Sequence, residues 1–339
     1  MADRRALLAA LALAGASLAL PRRVGQTPAP ARGAPRVGLV FDVGGRGDKS
    51  FNDAAYEGLA RASRELGVAF ELAEPLGAED REGALRLFAA RGFELVIGVG
   101  YIFSRDIGEV AADFPGVRFA CVDYAPGPRP APPNLAGLGF REEEASFLVG
   151  AAAGLLTRTS KVGFVGGMSI PLIVKFELGF AAGARATCPA CAVAVAYAGS
   201  TGEAFRDPAK GKAIAAAQIA GGADVLFHAA GLTGNGVFEA ARERGARAIG
   251  VDRDQADEAP GVVVTSMVKR VDVAVFEIIR DVTLGRFRGG LRAFGLAEGG
   301  VDWVHEGPHA AGLSPELVAR VEALRAEIAG GRVRVPSTR

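Results

Sequence analysis

The sequence has few of the residues from which metal, redox or charge-driven sites are built. Its 339 residues include only three cysteines and three histidines, and Lys plus Arg number 39 against 38 Asp plus Glu. Two closely spaced cysteines without a second pair argue against a zinc ribbon. The balanced charge gives no electrostatic reason to expect nucleic acid as a partner. The histidines leave few candidates for a Ser-His-Asp triad, and no G-x-S-x-G motif accompanies them.

Long hydrophobic runs are also scarce, although half of the residues are hydrophobic. The main apolar run, close to the N-terminus, is too short to cross a bilayer comfortably. We therefore expect the hydrophobic residues to lie in the cores of about two folded domains, and no integral membrane span in the mature chain.

Residues 1–31 are predicted to be a signal peptide followed by a Pro/Ala tether. Arg4 and Arg5 precede an apolar stretch whose length is typical of a secretory signal. Cleavage after Ala19 and cleavage near Ala31 both fit, an uncleaved anchor is the alternative, and the export route stays open. Because no cysteine lies at the end of the signal, we expect a periplasmic or otherwise exported protein without a lipid anchor.

Cys188 and Cys191 form a Cys-Pro-Ala-Cys segment between a predicted helix and a predicted strand. In an oxidising compartment this spacing favours a small structural disulfide. A thioredoxin-like redox role is the alternative, but it would require the pair to open a helix after a strand.

Short apolar runs alternate with amphipathic helical stretches along the rest of the chain. Ten strand candidates run from Val37–Phe41 to Val262–Met267, and helical candidates separate them. A repeated strand-then-helix order predicts parallel sheets with helices on both faces. The fold class is therefore α/β, with two doubly wound parallel-sheet lobes.

The order of the elements also predicts how the chain divides between the lobes. We expect an N-terminal lobe over 36–140 and a C-terminal lobe over 141–249. A return crossing to the first lobe is expected near 250–285, and the C-terminal strands and helix of 286–339 complete the lobes.

Three strand candidates end in a carboxylate, and these predict a shared cleft. Asp42, Asp123 and Asp252 each follow an apolar run. Ligands in doubly wound sheets collect where strand ends meet helix N-termini. A single aspartate there is most simply a helix cap or turn residue, but three at equivalent ends indicate a binding site.

The segment Phe41–Asn52 joins a strand to a helix through a glycine-rich turn. A P-loop is disfavoured, because Asp48 stands where glycine should precede Lys-Ser and would repel a phosphate. Ser50, Phe51 and Asn52 at the helix start offer an aromatic face beside a side-chain amide. This pair can stack on a planar ring and bind its edge.

Several segments together resemble the basic membrane protein (BMP) family, substrate-binding proteins of ABC transporters typified by purine nucleoside receptors. The motifs are D-V-G-G-R-G-D-K-S-F-N-D-A-A-Y-E-G (42–58), V-G-F-V-G-G-M (162–168), F-x-x-G-F (176–180), A-F-R-D-P-A-K-G-K (204–212), A-A-G-L-T-G-N-G-V (229–237), I-G-V-D-R-D-Q (249–255) and T-S-M-V-K-R-V-D-V-A-V (265–275). The resemblance implies a type I periplasmic-binding-protein fold, with lobes joined by a hinge and a nucleoside between them.

The resemblance also implies a set of site residues. Asp42 matches the aspartate of the first strand, and Phe51 and Phe205 match aromatic residues from opposite lobes. The remaining matches are Asn52 and Asp123 for the base edge, Gly231 near the ligand, and Asp252 with Lys269 for the ribose hydroxyls.

The sequence therefore predicts an exported solute-binding protein that captures a nucleoside, with a purine base, and delivers it to an ABC permease and its ATPase. We expect a monomer with no cofactor, no metal, no catalytic activity and no nucleic-acid partner. A nucleoside-hydrolysing enzyme or a ligand-sensing receptor that uses the same cleft is the alternative.

Overall fold

The structure is a computed structural model that describes residues 22–26, 33–75 and 78–339. Most of the predicted signal peptide and tether lies outside these residues. The strands are β1 (Arg22–Gln26), β2 (Arg36–Val40), β3 (Ala69–Glu74), β4 (Leu95–Val99), β5 (Arg118–Val122), β6 (Leu135–Phe140), β7 (Lys161–Met168), β8 (Ala192–Gly199), β9 (Val225–Ala229), β10 (Arg247–Asp252), β11 (Val263–Lys269), β12 (Gly290–Phe294) and β13 (Val301–Trp303). The α-helices are α1 (Phe51–Leu66), α2 (Ala78–Ala90), α3 (Ser104–Asp113), α4 (Glu142–Leu156), α5 (Pro171–Thr187), α6 (Pro208–Ala220), α7 (Gly234–Arg244), α8 (Val271–Thr283) and α9 (Pro315–Ala329).

The first lobe is built on a seven-stranded sheet in the order β1-β3-β2-β4-β5-β6-β12. All neighbours are parallel except β1, which runs antiparallel to β3. Every residue of the central strand β4 is buried, as expected for a sheet covered on both faces. Leu59 of α1 and Val275 of α8 belong to the core on one face, whereas Leu85 of α2 and Ile107 of α3 belong to the core on the other.

The second lobe is built on a six-stranded sheet in the order β13-β11-β10-β9-β7-β8. Only β13 is antiparallel to its neighbour. Leu148 of α4 and Phe180 of α5 are buried in one cluster, and Ala215 of α6 and Val237 of α7 are buried in another. Each sheet therefore lies between helical layers, as the alternation of strands and helices predicts.

Three crossings join the lobes. The chain leaves the first sheet after β6, returns at Arg270 between β11 and α8, and crosses again between β12 and β13. The second lobe consequently extends to Lys269, beyond the predicted boundary at 249, because β10 and β11 pair within the second sheet. The segment 286–339 contributes one strand to each sheet.

One strand lies within residues 1–31, which are predicted to be the signal peptide and tether. Residues Arg22–Gln26 form β1 at the edge of the first sheet, with a register irregularity between Arg23 and Gln26. The sequence pattern does not predict this pairing.

Cys188 and Cys191 are joined by a disulfide, with 5.3 Å between their Cα atoms. Cys188 directly follows α5, and Cys191 directly precedes β8. The bond therefore closes the turn between a helix and a strand, and it does not open a helix as a thioredoxin-like pair would.

Candidate ligand-binding cleft

The predicted aspartates lie where the two sheets face each other across a cleft. Asp42 and Asp123 follow β2 and β5 of the first lobe, and Asp252 ends β10 of the second. Asp123 and Asp252 have left-handed backbones, with φ of 60° and 68°. Strained conformations of this kind in residues other than glycine concentrate at functional sites. Eight of the nine predicted ligand-binding residues line this cleft: Asp42, Phe51, Asn52, Asp123, Phe205, Gly231, Asp252 and Lys269.

The loop before α1 fixes the orientation of Asn52. Its Oδ1 atom accepts the backbone N–H of Asp42 at 3.0 Å, and its Nδ2 atom donates to Asp48 Oδ2 at 3.1 Å. Asp48 also accepts the backbone N–H groups of Ser50, Asn52 and Asp53, so it caps the start of the helix. The amide of Asn52 keeps one N–H and one oxygen lone pair for another partner.

The Asp42 carboxylate stands against the backbone at the end of β4. Its Oδ1 atom accepts the N–H of Val43 at 2.6 Å. A Cβ atom at Gly100, where φ is +113°, would lie 2.0 Å from Asp42 Oδ2, so only glycine leaves room for this carboxylate. Burial raises the pKa of Asp42 to about 7, opposed by the Val43 hydrogen bond. Asp42 can therefore carry a proton near neutral pH.

Ser50 lies behind the cleft wall and joins the two lobes. Its hydroxyl donates to Asp252 Oδ2 at 2.5 Å. Burial raises the pKa of Asp252 to about 6, opposed by Lys269 and by this bond. A second contact between the lobes is the hydrogen bond from Gln255 Nε2 to the Lys49 carbonyl at 3.1 Å. The lobes are therefore closed on each other at this edge of the cleft.

Lys269, the last residue of β11, is a buried cation at the base of the cleft. Its Nζ atom lies 2.6 Å from Asp123 Oδ1 and 3.0 Å from Glu142 Oε1. Burial disfavours the ammonium, but Asp123, Glu142 and Asp252 outweigh burial and raise the pKa of Lys269. Lys269 is therefore charged at neutral pH, and it connects the first lobe to the start of α4.

Aromatic rings border the cleft from both lobes. Phe51 begins α1 in the first lobe, and Lys269 Nζ lies 5.2 Å from the centroid of its ring. Phe205 ends a short 3₁₀ turn in the second lobe, and a Cβ atom at Gly167 would lie 2.3 Å from the Phe205 ring. Both rings are partly buried and pack at the margin of the core, so each combines a packed side with a side at the cleft.

Other residues of the cleft were not assigned from the sequence. In the sequence Asp48 argues against a P-loop, and its position just before a helix also predicts a cap. Tyr101 lines the cleft directly after β4, where the strand-end argument would have found it. Phe176 lies in the F-x-x-G-F segment but was given no role. Glu142 lies beneath the cleft. In the sequence it is one of three glutamates in the first turn of a helix, a common position for acidic residues.

The arrangement suits a flat ligand that carries several hydrogen-bond donors and no negative charge. Ring faces are available for stacking, and the carboxylates of Asp42 and Asp252 accept N–H and O–H groups. Among the described residues that line the cleft, Lys269 is the one cation, and it is already paired with Asp123. Two doubly wound α/β lobes closed over such a cleft define a two-lobed ligand-binding protein.

Comparison with known proteins agrees with this class. A solute-binding protein of an ABC transporter system from Aeropyrum pernix K1 has a similar structure, with a TM-score of 0.79 and 33% identity over 90% of this chain and 94% of that chain. The ABC transporter nucleoside-binding protein BmpA of Lactococcus lactis subsp. cremoris is 31% identical over 89% of each chain. An uncharacterized lipoprotein of Pyrococcus abyssi is 37% identical over 79% of this chain and 68% of its own.

The family model described as ABC transporter substrate-binding protein PnrA-like matches residues 36–338. The chain therefore belongs to the Bmp family of ABC transporter substrate-binding proteins. The resemblance seen in the sequence motifs and the two-lobed periplasmic-binding-protein fold are both confirmed.

Membership in this family supports export, because substrate-binding proteins of ABC transporters are exported. Within residues 22–26, 33–75 and 78–339, no helix has both the length and the apolar character that a membrane span requires. The Pyrococcus abyssi relative is named a lipoprotein, which conflicts with the expectation that this chain has no lipid anchor. That expectation, the monomeric state and the absence of catalysis stay predictions.

Proposed function

We propose that the protein captures a nucleoside, with a purine base, between its two lobes and delivers it to an ABC permease and its ATPase. The observation that carries the proposal is the pair of rings, Phe51 and Phe205, which border one cleft from opposite lobes. Stacking on an aromatic ring contributes roughly 1–3 kcal/mol for each base. The relative that is named a nucleoside-binding protein supports the same ligand class.

The polar groups fit the rest of a nucleoside. Asn52 has one amide N–H and one oxygen lone pair to offer to a base edge, and Asp123 lies in the same lobe. Asp252 and Lys269 are proposed to bind the ribose hydroxyls, with Gly231 beside them in the second lobe. Phosphorylated nucleotides would meet carboxylates and no unpaired cation among the described lining residues, so the proposal is limited to uncharged nucleosides.

Calorimetry on ligand-stripped protein tests this proposal. Inosine, guanosine, adenosine, cytidine and the free bases should be compared, with inosine 5′-monophosphate as the charged control. We expect saturable heat with at least one purine nucleoside and a much weaker response to the monophosphate. No saturable heat with any nucleoside would refute the ligand assignment.

Delivery to a permease follows from closure of the lobes. Ser50 and Asp252 come from different lobes, so their hydrogen bond exists only in a closed arrangement. A ligand that contacts both lobes stabilises that arrangement and raises its population. We therefore propose that the permease binds the closed, loaded form.

The raised pKa of Asp42 favours one alternative, a nucleoside hydrolase with this carboxyl as its acid or base. Incubation with inosine distinguishes the two functions. A hydrolase would release hypoxanthine and ribose, and the Asp42→Asn variant would abolish the release. A binding protein returns intact inosine.

A further inference from the structure

Glu142 is a buried carboxylate that stands between two lysines outside the predicted set of site residues. It is the first residue of α4, directly after the first crossing between the lobes, and it is 0% exposed. Its Oε1 atom lies 3.0 Å from Lys269 Nζ, and its Oε2 atom accepts a hydrogen bond of 2.9 Å from Lys175 Nζ. Each carboxylate oxygen therefore faces one ammonium group.

Lys175 anchors this carboxylate to the crossing. Its Nζ atom also donates to the backbone carbonyl of Phe140, the last residue of β6, at 2.8 Å. Lys175 belongs to α5, so it connects the second lobe to the end of the first sheet. Glu142 thus has one partner fixed in the hinge region and one partner, Lys269, that reaches into the cleft.

Lys269 depends on these neighbours for its position. One of its three N–H groups donates to Asp123 Oδ2 at 2.8 Å, whereas Glu142 Oε1 forms an ion pair with Nζ at 3.0 Å without accepting a hydrogen bond. The rings of Phe51, Phe140 and Phe176 surround the ammonium, with centroids 5.2, 4.9 and 5.7 Å from Nζ. Because Lys269 lines the cleft, an N–H group that Asp123 does not accept can serve a group bound there.

A purely structural role explains this arrangement poorly. Burying charged groups costs free energy that their mutual attraction often does not recover, and well-packed apolar residues are frequently as stable. The free-energy cost of burying Glu142 is explained if its carboxylate orients the Lys269 ammonium, which lines the cleft.

We propose that Glu142 is a positioning residue, which holds the Lys269 ammonium by its charge so that a free N–H group is directed at the ligand, and that Lys175 in turn holds Glu142. This inference rests on the proposed nucleoside-binding function. In metal sites, replacing a residue that orients a metal ligand typically costs roughly 10–100-fold in affinity or activity, and we expect an effect of the same order here.

A double-mutant cycle tests the proposal. Nucleoside affinity should be measured by calorimetry for Glu142→Gln, Lys269→Met and the double variant. We expect Glu142→Gln to weaken binding by about tenfold or more in the native background and to have no further effect beside Lys269→Met. Glu177→Gln is the matched control. Glu177 is also a buried glutamate, but it lies on α5 and its carboxylate accepts hydrogen bonds from Tyr197 and Arg339. Independent, additive losses would overturn the positioning role.

A second measurement uses no ligand, so it separates failure of this inference from failure of the nucleoside assignment. The protons of a buried, ion-paired lysine ammonium exchange slowly enough with water to give a proton–nitrogen cross-peak in an NMR spectrum. The peak of Lys269 is assigned by its disappearance in the Lys269→Met variant. We expect the peak in the native protein and in Glu177→Gln, and its loss or displacement in Glu142→Gln. A native protein without the peak, or an unchanged peak in Glu142→Gln, would overturn the proposal.

If Glu142→Gln does not fold, Lys175→Gln tests the same chain of contacts at a partly exposed side chain. It should displace the Lys269 peak and weaken binding by a smaller factor. An unchanged peak and unchanged affinity would contradict the proposal.

Discussion

Replacing Asp42 with asparagine should stabilise the free protein at high pH while weakening ligand binding. Burial raises the Asp42 pKa from an ordinary 3.8 to about 7. At about 1.4 kcal/mol for each tenfold change in a protonation equilibrium, this rise corresponds to roughly 4 kcal/mol. Asp42 keeps some contact with solvent, so we expect about half of that, roughly 2 kcal/mol. The asparagine oxygen can still accept the N–H of Val43.

The sign of the effect follows from proton linkage. Between about pH 4 and pH 7 the folded protein binds a proton at Asp42 and the unfolded chain does not, so this carboxyl makes stability fall as the pH rises. Above pH 7 the penalty is complete, and below pH 4 it is absent. The stability gain of Asp42→Asn should therefore appear above pH 7 and disappear near pH 4.

Thermal unfolding of ligand-free protein at pH 8 and pH 4.5 measures the effect, with Glu65→Gln as a control for the loss of an exposed charge on α1. We expect a midpoint raised by roughly 3 °C at pH 8, since unfolding entropy scales with chain length at about 2 cal/mol/K per residue, and a clearly smaller rise at pH 4.5. Calorimetry should show weaker nucleoside binding by the same variant. A lower unfolding midpoint for Asp42→Asn at pH 8 would refute the reasoning, because it would mean that the ionised Asp42 carboxylate stabilises the folded protein.

Three other outcomes are expected. Phe205→Ala should weaken nucleoside binding by roughly 5–150-fold, the equivalent of one lost stacking contact. The melting temperature of the free protein should change little, and an unfolded variant would show that the ring belongs to the core. Reduction of the Cys188–Cys191 disulfide should leave the calorimetric affinity intact, because neither cysteine lines the cleft; a lost affinity would contradict this. Gly183→Ala should destabilise the protein by about 1–3 kcal/mol in denaturant unfolding, because its Cβ would lie 1.9 Å from a carbonyl oxygen of α4. Gly116→Ala, at a position with open space, is the control, and equal stability of the two variants would exclude the clash.

The sequence predicts the interior strands well because burial on both faces leaves an unmistakable pattern. The ten predicted strands correspond to β2 through β11, and all of these except β8 lie in the interior of a sheet. β8 is an edge strand without a buried residue, and its run of Ala and Val predicts it instead. The edge strands β12 and β13 were not separately predicted. Leu291 in β12 is 62% exposed, and β13 has only three residues, so neither forms a buried apolar run. β12 pairs with β6 and β13 pairs with β11 because the chain passes along those sheet edges, not because of the residues within the two strands.

The candidate site divides in a similar way. Asp42, Asp123 and Asp252 could be found by reasoning from strand ends alone, because parallel strands place their carboxyl ends at one edge. Lys269 and Phe205 were found only through the family resemblance. Glu142 was missed because its contact with Lys269 joins residues 127 positions apart in the sequence, and no local pattern reports such a pairing.

The electrostatics of the cleft limit what can occupy it. Burial raises the pKa of Asp42, Asp48, Asp123 and Asp252, so the ionised carboxylates are poorly solvated when the lobes are closed. A ligand with several N–H and O–H donors would satisfy acceptors that closure removes from water, whereas an anion would add to the repulsion. Ligand binding and closure therefore favour each other. The same buried carboxylates that make closure costly can select a neutral, donor-rich solute, because its N–H and O–H groups replace the water that closure removes.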